Sequence, residues 1–552
     1  MVRKTHPLPP RARRLAAQFR AGHLSRRGFM ARATSLGIGA ASAASLIGIE
    51  PLKAQEAPRP GGTLKLQMVL RPLTDPRAWD WTEMANFCRG WLEYLVEYES
   101  DGSFRGMLLE SWEANEAGDV YTLFLRDGVT WSNGDAFTAA HVAFNLERWC
   151  ARDADANSMA VRLATLIDDE TGQLREGGIE IVDDFTLRLN LARPDITLIP
   201  SFADYPAAIV HPSYGGGDPR LDPIGTGPYL PDPDYRSGEF AALVRREGPW
   251  WGSAVFGKPA LDRIEFYDLG TDPANHVAAL QDGAVDLIDQ STGVFVEVLD
   301  TLDFPRSEVL TAATYVVRCR ADADIGGTMP YADPRVRRAL ALAVENATAL
   351  ELGLAGLGDV AANHHVSPLH PDYADIGPAR FAPAEARMLL AEAGFDGFPH
   401  ELISVDDEWQ GNTCDAVAAM LGDAGIPVRR RRLPGEVFWA DWRAHPFSGT
   451  EWAMRPLGIQ LLALAYRSDS AWNETGYANS DFDDTLDRAL AIQDDGDRKA
   501  VMGELQAMLV EDGVIIQPYW RTLVRHTRVP LVGAEIRPTL EIRPYAMGFA
   551  EG

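Results

Sequence analysis

Leu108 to Trp149 reads LLESWEANEAGDVYTLFLRDGVTWSNGDAFTAAHVAFNLERW, and one local reading accommodates the whole stretch. Val120-Tyr-Thr-Leu-Phe-Leu125 alternates as a half-buried strand, Arg126-Asp-Gly128 turns, Val129-Thr-Trp131 is extended, and Asn133-Gly134 turns again. Thr138-Ala-Ala then starts a helix with apolar Val142, Phe144 and Leu146. Past residue 54 the same alternation of strands and helices continues without a low-complexity linker or a repeat, which argues for an α/β protein.

A chain of 552 residues suggests two to four domains and a large core, and 46% hydrophobic with 24% charged residues is a globular composition. Residues 1–54 carry ten Lys/Arg and one acid, Glu50, a local net charge of +9 against −27 for the whole chain, so the remainder stands at −36. A polyanion of this size is repelled by phosphate backbones, which argues against a nucleic-acid partner. Cys88, Cys150, Cys319 and Cys414 lack CxxC spacing and read as free buried thiols.

Ser25-Arg-Arg-Gly-Phe-Met30 fits the twin-arginine pattern S-R-R-x-F-L, with Ala31 where Lys is common. The run from Ala33 to Gly48 is only mildly apolar, too short and weak to span a bilayer stably. Residues 1–54 are therefore expected to be a cleaved twin-arginine signal peptide, cut near Ala54, with no nearby cysteine for a lipid anchor. The expected location is the periplasm. A basic amphipathic N-terminal helix is the alternative.

Further along, Asp333 and Pro334 open a helix with Val336, Ala339, Leu340, Ala343 and Val344 on one stripe. Pro383 to Ala393 is a helix closed by Gly394. Glu401–Val405, a helix Cys414–Gly425 and Val428–Leu433 read as a β-α-β unit. Tyr477–Ile492, with Ser480 as N-cap, and Arg498–Val510 are two more helices before a strand Val514–Gln517.

Together these motifs carry a resemblance. Tyr121-Thr122, Leu125-Arg126, Gly128-Val129, Trp131 and Asn133-Gly134 match "Y-T-F-x-L-R-x-G-V-x-W/F-x-D/N-G". Ile224-Gly-Thr-Gly-Pro-Tyr229, Pro249-Trp-Trp251 with Lys258-Pro-Ala-Leu-Asp-Arg-Ile264, Ala279–Asp286, Asp333–Leu340 and Ala384–Gly394 follow in order. The chain resembles the family 5 solute-binding proteins of ABC importers over roughly residues 60 to 550, with the family domain at about 100–470. The resemblance implies an α/β, bilobed type II periplasmic-binding fold with an extra subdomain. Lobe I would comprise 60–90, 193–311 and 521–552, the extra subdomain 91–192 and lobe III 312–520, with a hinge where the chain crosses near 311 and 520. It also implies a monomer that carries a small solute or short peptide to inner-membrane ABC permease subunits, with no cofactor and no catalysis.

In peptide-binding members a stretch like "W-x-x-D" presents an acid to the peptide's ammonium group. Here Trp452-Ala-Met-Arg455 puts a cation in that place. Such a cation would grip a carboxylate or phosphate through two parallel hydrogen bonds, so the ligand is expected to be acidic; solvent exposure of Arg455, or pairing with an acid such as Glu451, is the alternative. Trp452, Trp472, Trp439 and Tyr466 crowd the same region as candidate aromatic walls, and Tyr315 matches a ligand-contacting position after the first crossing.

Arg429-Arg-Arg-Arg432 reads as solvated surface, its side chains alternating faces of a strand. Gly252–Lys258 mimics a phosphate loop, but Pro259 lacks the hydroxyl such a loop needs for Mg²⁺. His364, His365 and His370 lack a completing acid or cysteine for a metal. No G-x-S-x-G, H-E-x-x-H or G-x-G-x-x-G sequence occurs. A secreted hydrolase with an unfamiliar site and a sensor docking to a membrane receptor remain the readings from other classes.

Overall fold

The computed structural model describes residues 58–492 and 494–551, together with 15, 19, 26–35, 38 and 43. Of the N-terminal expectations, Ser25, most of the apolar run and the cleavage position Ala54 lie outside the described residues; Arg26–Ser35 is helical.

The opening stretch folds as its residues dictate. In the strand Val120–Leu125 the side chains of Tyr121, Leu123 and Leu125 are buried and their neighbours half-buried. Gly128 and Gly134 take φ of +77° and +97°, values that disfavour any side chain, and so permit the two turns. Between them Trp131 is buried, its indole donating to His141 Nδ1 at 3.0 Å. The helix Ala139–Cys150 begins after Thr138, as expected, and buries Val142 and Leu146. The strand joins Leu109–Ala114, Thr186–Asn190 and Ile179–Asp183 in a four-stranded antiparallel sheet.

A second, five-stranded sheet runs in the order Leu287–Ile288, Thr63–Gln67, Arg263–Tyr267, Phe240–Arg245, Tyr229–Pro231, with Thr63–Gln67 parallel to both neighbours. A third sheet is ordered Gly358–Val360, Tyr519–His526, Arg306–Cys319, Phe447–Trp452, His400–Val405, Val428–Leu433, with Ile515–Ile516 added on Arg306–Cys319. Its helices include Pro334–Leu342, capped by Asp333, and Pro383–Ala393, closed by Gly394 at φ +78°. The β-α-β unit is present, with His400–Val405 parallel to Val428–Leu433. Its helix begins at Glu408 rather than Cys414, because the Asp407 carboxylate caps it by accepting from the Gln410 and Gly411 amides. Likewise Asn479, not Ser480, caps Ser480–Ala491.

Arg306–Cys319 and Tyr519–His526 tie the second and third sheets together. They pair antiparallel from Arg306↔His526 to Thr314↔Trp520, and the register breaks between Leu310 and Thr314. Across the break, Thr311 Oγ1 donates to the Arg521 carbonyl at 2.8 Å and Thr314 Oγ1 to that of Tyr519 at 2.6 Å. Beyond it, bridges Ser291↔Val524 and Leu287↔Thr527 reach the five-stranded sheet. One apolar cluster fills the first two sheets and part of the third, and a separate one lies between the third sheet and its helices.

Candidate functional site

A cavity of about 670 Å³ opens between the five-stranded sheet and the third sheet. From the first side come the segment after Thr63–Gln67, including Arg71, then Asp80, Trp81, Glu83 and Tyr205, and the loops carrying Asp268, Asp289 and Gln290. From the other side come Asp406, Asp407, Glu408, Trp409 and Gln410, then Trp439, Trp442, Glu451, Trp452, Arg455 and Trp472. A concave site of this size, built from two sheets joined by two crossing strands, suits a small organic molecule.

The sides already touch at the rim. Trp442 Nε1 donates to Asp80 Oδ2 at 3.1 Å, and Thr271 Oγ1 to the Asp406 carbonyl at 2.8 Å. Trp81 and Trp439 meet edge-on with ring centroids 4.1 Å apart, and the Arg71 guanidinium lies 4.5 Å and 5.1 Å from their centroids. This is cation–π geometry joining the two sides.

Of the six residues expected to bind ligand, Trp439, Trp452, Trp472 and Arg455 line the cavity. The Trp452 indole donates to Glu474 Oε1 at 2.7 Å, which fixes the ring. Trp472 stacks on Tyr205 with centroids 5.8 Å apart. Tyr315 and Tyr466 do not line it. Tyr315 is fully buried beneath Trp409, centroids 5.4 Å apart, with its hydroxyl 3.4 Å from Cys414 Sγ. Trp409 holds the wall position instead. Tyr466 follows the buried helix Gly458–Ala465 and pairs with His365 Nδ1 at 2.7 Å.

Arg455 also departs from expectation. Its Nε donates to Asp204 Oδ2 at 3.0 Å and its Nη1 to the Ala453 carbonyl at 2.8 Å, while the guanidinium packs 5.0 Å from the Tyr205 centroid and 5.5 Å from that of Trp472. Asp204 also takes Arg162 Nε and Nη2, at 2.9 and 2.6 Å. Burial raises the Asp204 pKa, but Arg162 and Arg455 outweigh it and bring it below the ordinary carboxylate value. Nε and Nη1 of the fork that would clamp a ligand anion are thus committed to the protein, and Nη2 alone has no hydrogen-bond partner among the described residues. Glu451, the acid weighed as a partner for Arg455, pairs with Arg521 instead.

The electrostatics of the wall point the other way. Among the described residues nine carboxylates line the cavity, Asp80, Glu83, Asp268, Asp289, Asp406, Asp407, Glu408, Glu436 and Glu451, against two arginines, Arg71 and Arg455. Asp289 is held by Arg525 at 2.8 Å and Glu451 by Arg521. Burial pushes Glu83 and Asp407 up to about 7, and raises Asp80 and Glu408. His276, also lining, is lowered by burial. Apart from Glu451, weighed only as a partner for Arg455, none of these acids was singled out from the sequence; the signals were the −36 balance and the run Asp406-Asp407-Glu408 at a strand end.

The remaining candidates resolve as structure. Arg429 and Arg431 pair with Glu401 on one face, Arg430 and Arg432 with Asp415 on the other. His364, His365 and His370 are buried and hydrogen-bonded to Gln506, Tyr466 and the Arg455 carbonyl. Among the described residues no group of three or more metal-ligating side chains converges. All four cysteines are free and buried.

Comparison with known proteins agrees with this geometry. The glutathione-binding protein GsiB of Pectobacterium atrosepticum is 25% identical over 467 residues, covering 80% of this chain and 85% of that one. The Haemophilus influenzae OppA structure in complex with the peptide RPPGFSPFR superposes with a TM-score of 0.78 at 19% identity, over 90% of this chain and 100% of that one. The PBP AgaA of A. tumefaciens, in complex with agropinic acid, gives 0.75 at 20% identity, over 89% and 99%. These likenesses identify the fold as the bilobed type II periplasmic-binding architecture. The family model described as bacterial extracellular solute-binding proteins, family 5 Middle, matches residues 103–460, and the chain belongs to that family.

Proposed function

We propose that this solute-binding protein works in the periplasm as a monomer, closing two lobes around a small peptide or peptide-like solute and handing it unchanged to the permease of an inner-membrane ABC importer. The observation that carries this reading is the cavity of about 670 Å³ walled from both sheets, with the Trp442–Asp80 and Thr271–Asp406 bonds drawn across its rim. Lobe I is 60–90, 193–311 and 521–552, the extra subdomain 91–192, and lobe III 312–520. The register break between Leu310 and Thr314 supports a hinge at that crossing, since a ladder interrupted there bends more readily than a continuous one. Relatives named for glutathione and for peptide support the peptide-like class.

X-ray scattering of the mature protein tests the reading. Adding an extract fraction that raises its melting temperature should shrink the radius of gyration as the lobes close; unchanged curves at saturation would contradict it. Export by the twin-arginine route is supported by Arg26-Arg27 ahead of a weakly apolar run. Replacing both with Lys should strand the precursor in the cytoplasm, and normal periplasmic accumulation would refute the route.

A further inference from the structure

We propose that the cleft contains a subsite for an organic cation, the ammonium or guanidinium group of the solute, formed by Glu83 on one side and by Asp407 and Gln410 on the other. The inference rests on the reading that solute binds in the cleft, and concerns what the solute must carry.

Three observations converge on it. The Glu83 carboxylate lines the cavity, where its own backbone amide and the charge of Arg71 only partly offset burial, and no described side chain hydrogen-bonds to it. Buried acids are ordinarily matched by donors as well as by a cation, so this carboxylate has room for a further donor from the solute. Across the cavity, Gln410 is 5% exposed and its Nε2 donates to Asp407 Oδ2 at 2.8 Å. With Asp407 ionised, as at pH 8, that bond requires the amide nitrogen to face it, because a carboxylate cannot donate to the oxygen. Gln410 Oε1 is then an acceptor, and it has no partner among the described residues. Asp407 spends Oδ1 on the Gln410 and Gly411 amides and Oδ2 on the Gln410 side chain.

The nearby acids add to this. Glu83 faces Arg71 and is repelled by Glu451 and Asp289, and Asp407 is repelled by Glu451, although Glu451 and Asp289 are themselves held by Arg521 and Arg525. The Arg71 guanidinium is packed against Trp81 and Trp439. The acids do not converge as a metal site would among the described residues. Spread around a wall, they match a group with several N–H donors pointing in different directions, which is what an ammonium or guanidinium offers and a spherical ion does not. Burial holds Glu83 and Asp407 near neutrality, so an arriving cation would favour their ionised forms and displace protons.

The test is calorimetric titration of the mature protein with arginine, lysine, putrescine and lysine-containing di- and tripeptides, beside counterparts that carry no cation, Nα-acetyl-citrulline and Nα,Nε-diacetyl-lysine. At pH 8 the best cationic probe should bind at least tenfold more tightly than its cation-free counterpart. Glu83→Gln and, independently, Gln410→Met should each remove most of that preference while the variants melt cooperatively. Titration near pH 7 in buffers of different ionisation enthalpy should show proton release. Gly435→Trp serves as the cleft control: a Cβ there meets nothing closer than Trp439 Cδ1 at 3.8 Å, so the indole can enter the cavity and block it. Saturable binding that Gly435→Trp abolishes but that shows no preference for the cationic probes overturns the cation subsite and leaves cleft binding standing. Binding that survives Gly435→Trp contradicts the cleft itself. Failure of every cationic probe to bind, with acidic or neutral probes binding instead, also overturns the subsite.

Discussion

Asp204 is the residue whose removal should hurt most for its size, and the arithmetic follows from its two partners. Arg162, Asp204 and Arg455 are all nearly inaccessible, with side-chain exposures of 1%, 5% and 3%. One carboxylate answers two guanidiniums there. Asp204→Asn keeps the shape but leaves two buried cations uncompensated, and breaking a buried pair in this way costs about 3–5 kcal/mol. Arg455→Met is the asymmetric counterpart. It removes the hydrogen bond to Asp204, worth about 1.5–3 kcal/mol, together with the part-buried one to the Ala453 carbonyl, which water can replace, and leaves a neutral Arg162–Asp204 pair with both of its bonds. At roughly 2.1 cal/mol/K per residue over about 500 residues, these losses lower a cooperative melting temperature by about 3–5 °C and about 1.5–3 °C. Differential scanning calorimetry of the mature protein at pH 7 measures both. The double variant should melt above the sum of the two shifts, because Met removes one of the two cations that Asn orphans. If Arg455→Met were the more damaging change, or if Asp204→Asn melted with the parent, the shared-carboxylate account would be wrong.

Two further outcomes are expected. Glu83 has a folded-state pKa raised to about 7, above its unfolded value of about 4.3, so the native state holds the extra proton between those values and stability falls as pH rises across that window. Ligand-free Glu83→Gln should therefore match the parent near pH 4 and exceed it at pH 8 by up to about 3 kcal/mol, at roughly 1.4 kcal/mol per pKa unit; a constant difference across pH would rule out the titration. Trp442→Phe removes the 3.1 Å bond to Asp80 that spans the cleft rim, so it should raise the ligand off-rate roughly ten- to a hundredfold, as expected for a lost charged hydrogen bond, and an unchanged off-rate in stopped-flow fluorescence would show that the rim bond does not latch the cleft.

What could be read from the chain follows the range of the forces involved. The strand Val120–Leu125, its glycine turns and the helix after Thr138 are fixed by neighbours in sequence, and they stand where the pattern put them. The helix placed at Cys414 starts at Glu408, because the Asp407 cap and the burial of Trp409 and Gln410 carry it through Gly411 and Asn412, residues of weaker helix propensity. The aromatic part of the site was legible as a crowded region, but not residue by residue. Tyr315 lies opposite Glu451 in the ladder, on the cavity side of the sheet, and only the covering helix with Trp409 takes it out of reach. Arg455 was readable as a departure from the family's acid, but the partner that absorbs its charge lies 251 residues earlier. The acidic wall was hidden for the same reason, since Glu83, Asp289, Asp407 and Glu451 meet only after the lobes assemble.

The most direct test of the central claim is mass spectrometry, under non-denaturing conditions, of the protein purified from the periplasm of cells grown on rich medium. A cavity of about 670 Å³ holds one molecule on the order of a few hundred daltons. The expected result is a one-to-one complex with such a solute, released chemically unchanged on denaturation and absent from Gly435→Trp. Recovery of a cleaved or otherwise altered solute, or the same adduct on the blocked variant, would contradict the assignment of this cleft as a carrier's binding site.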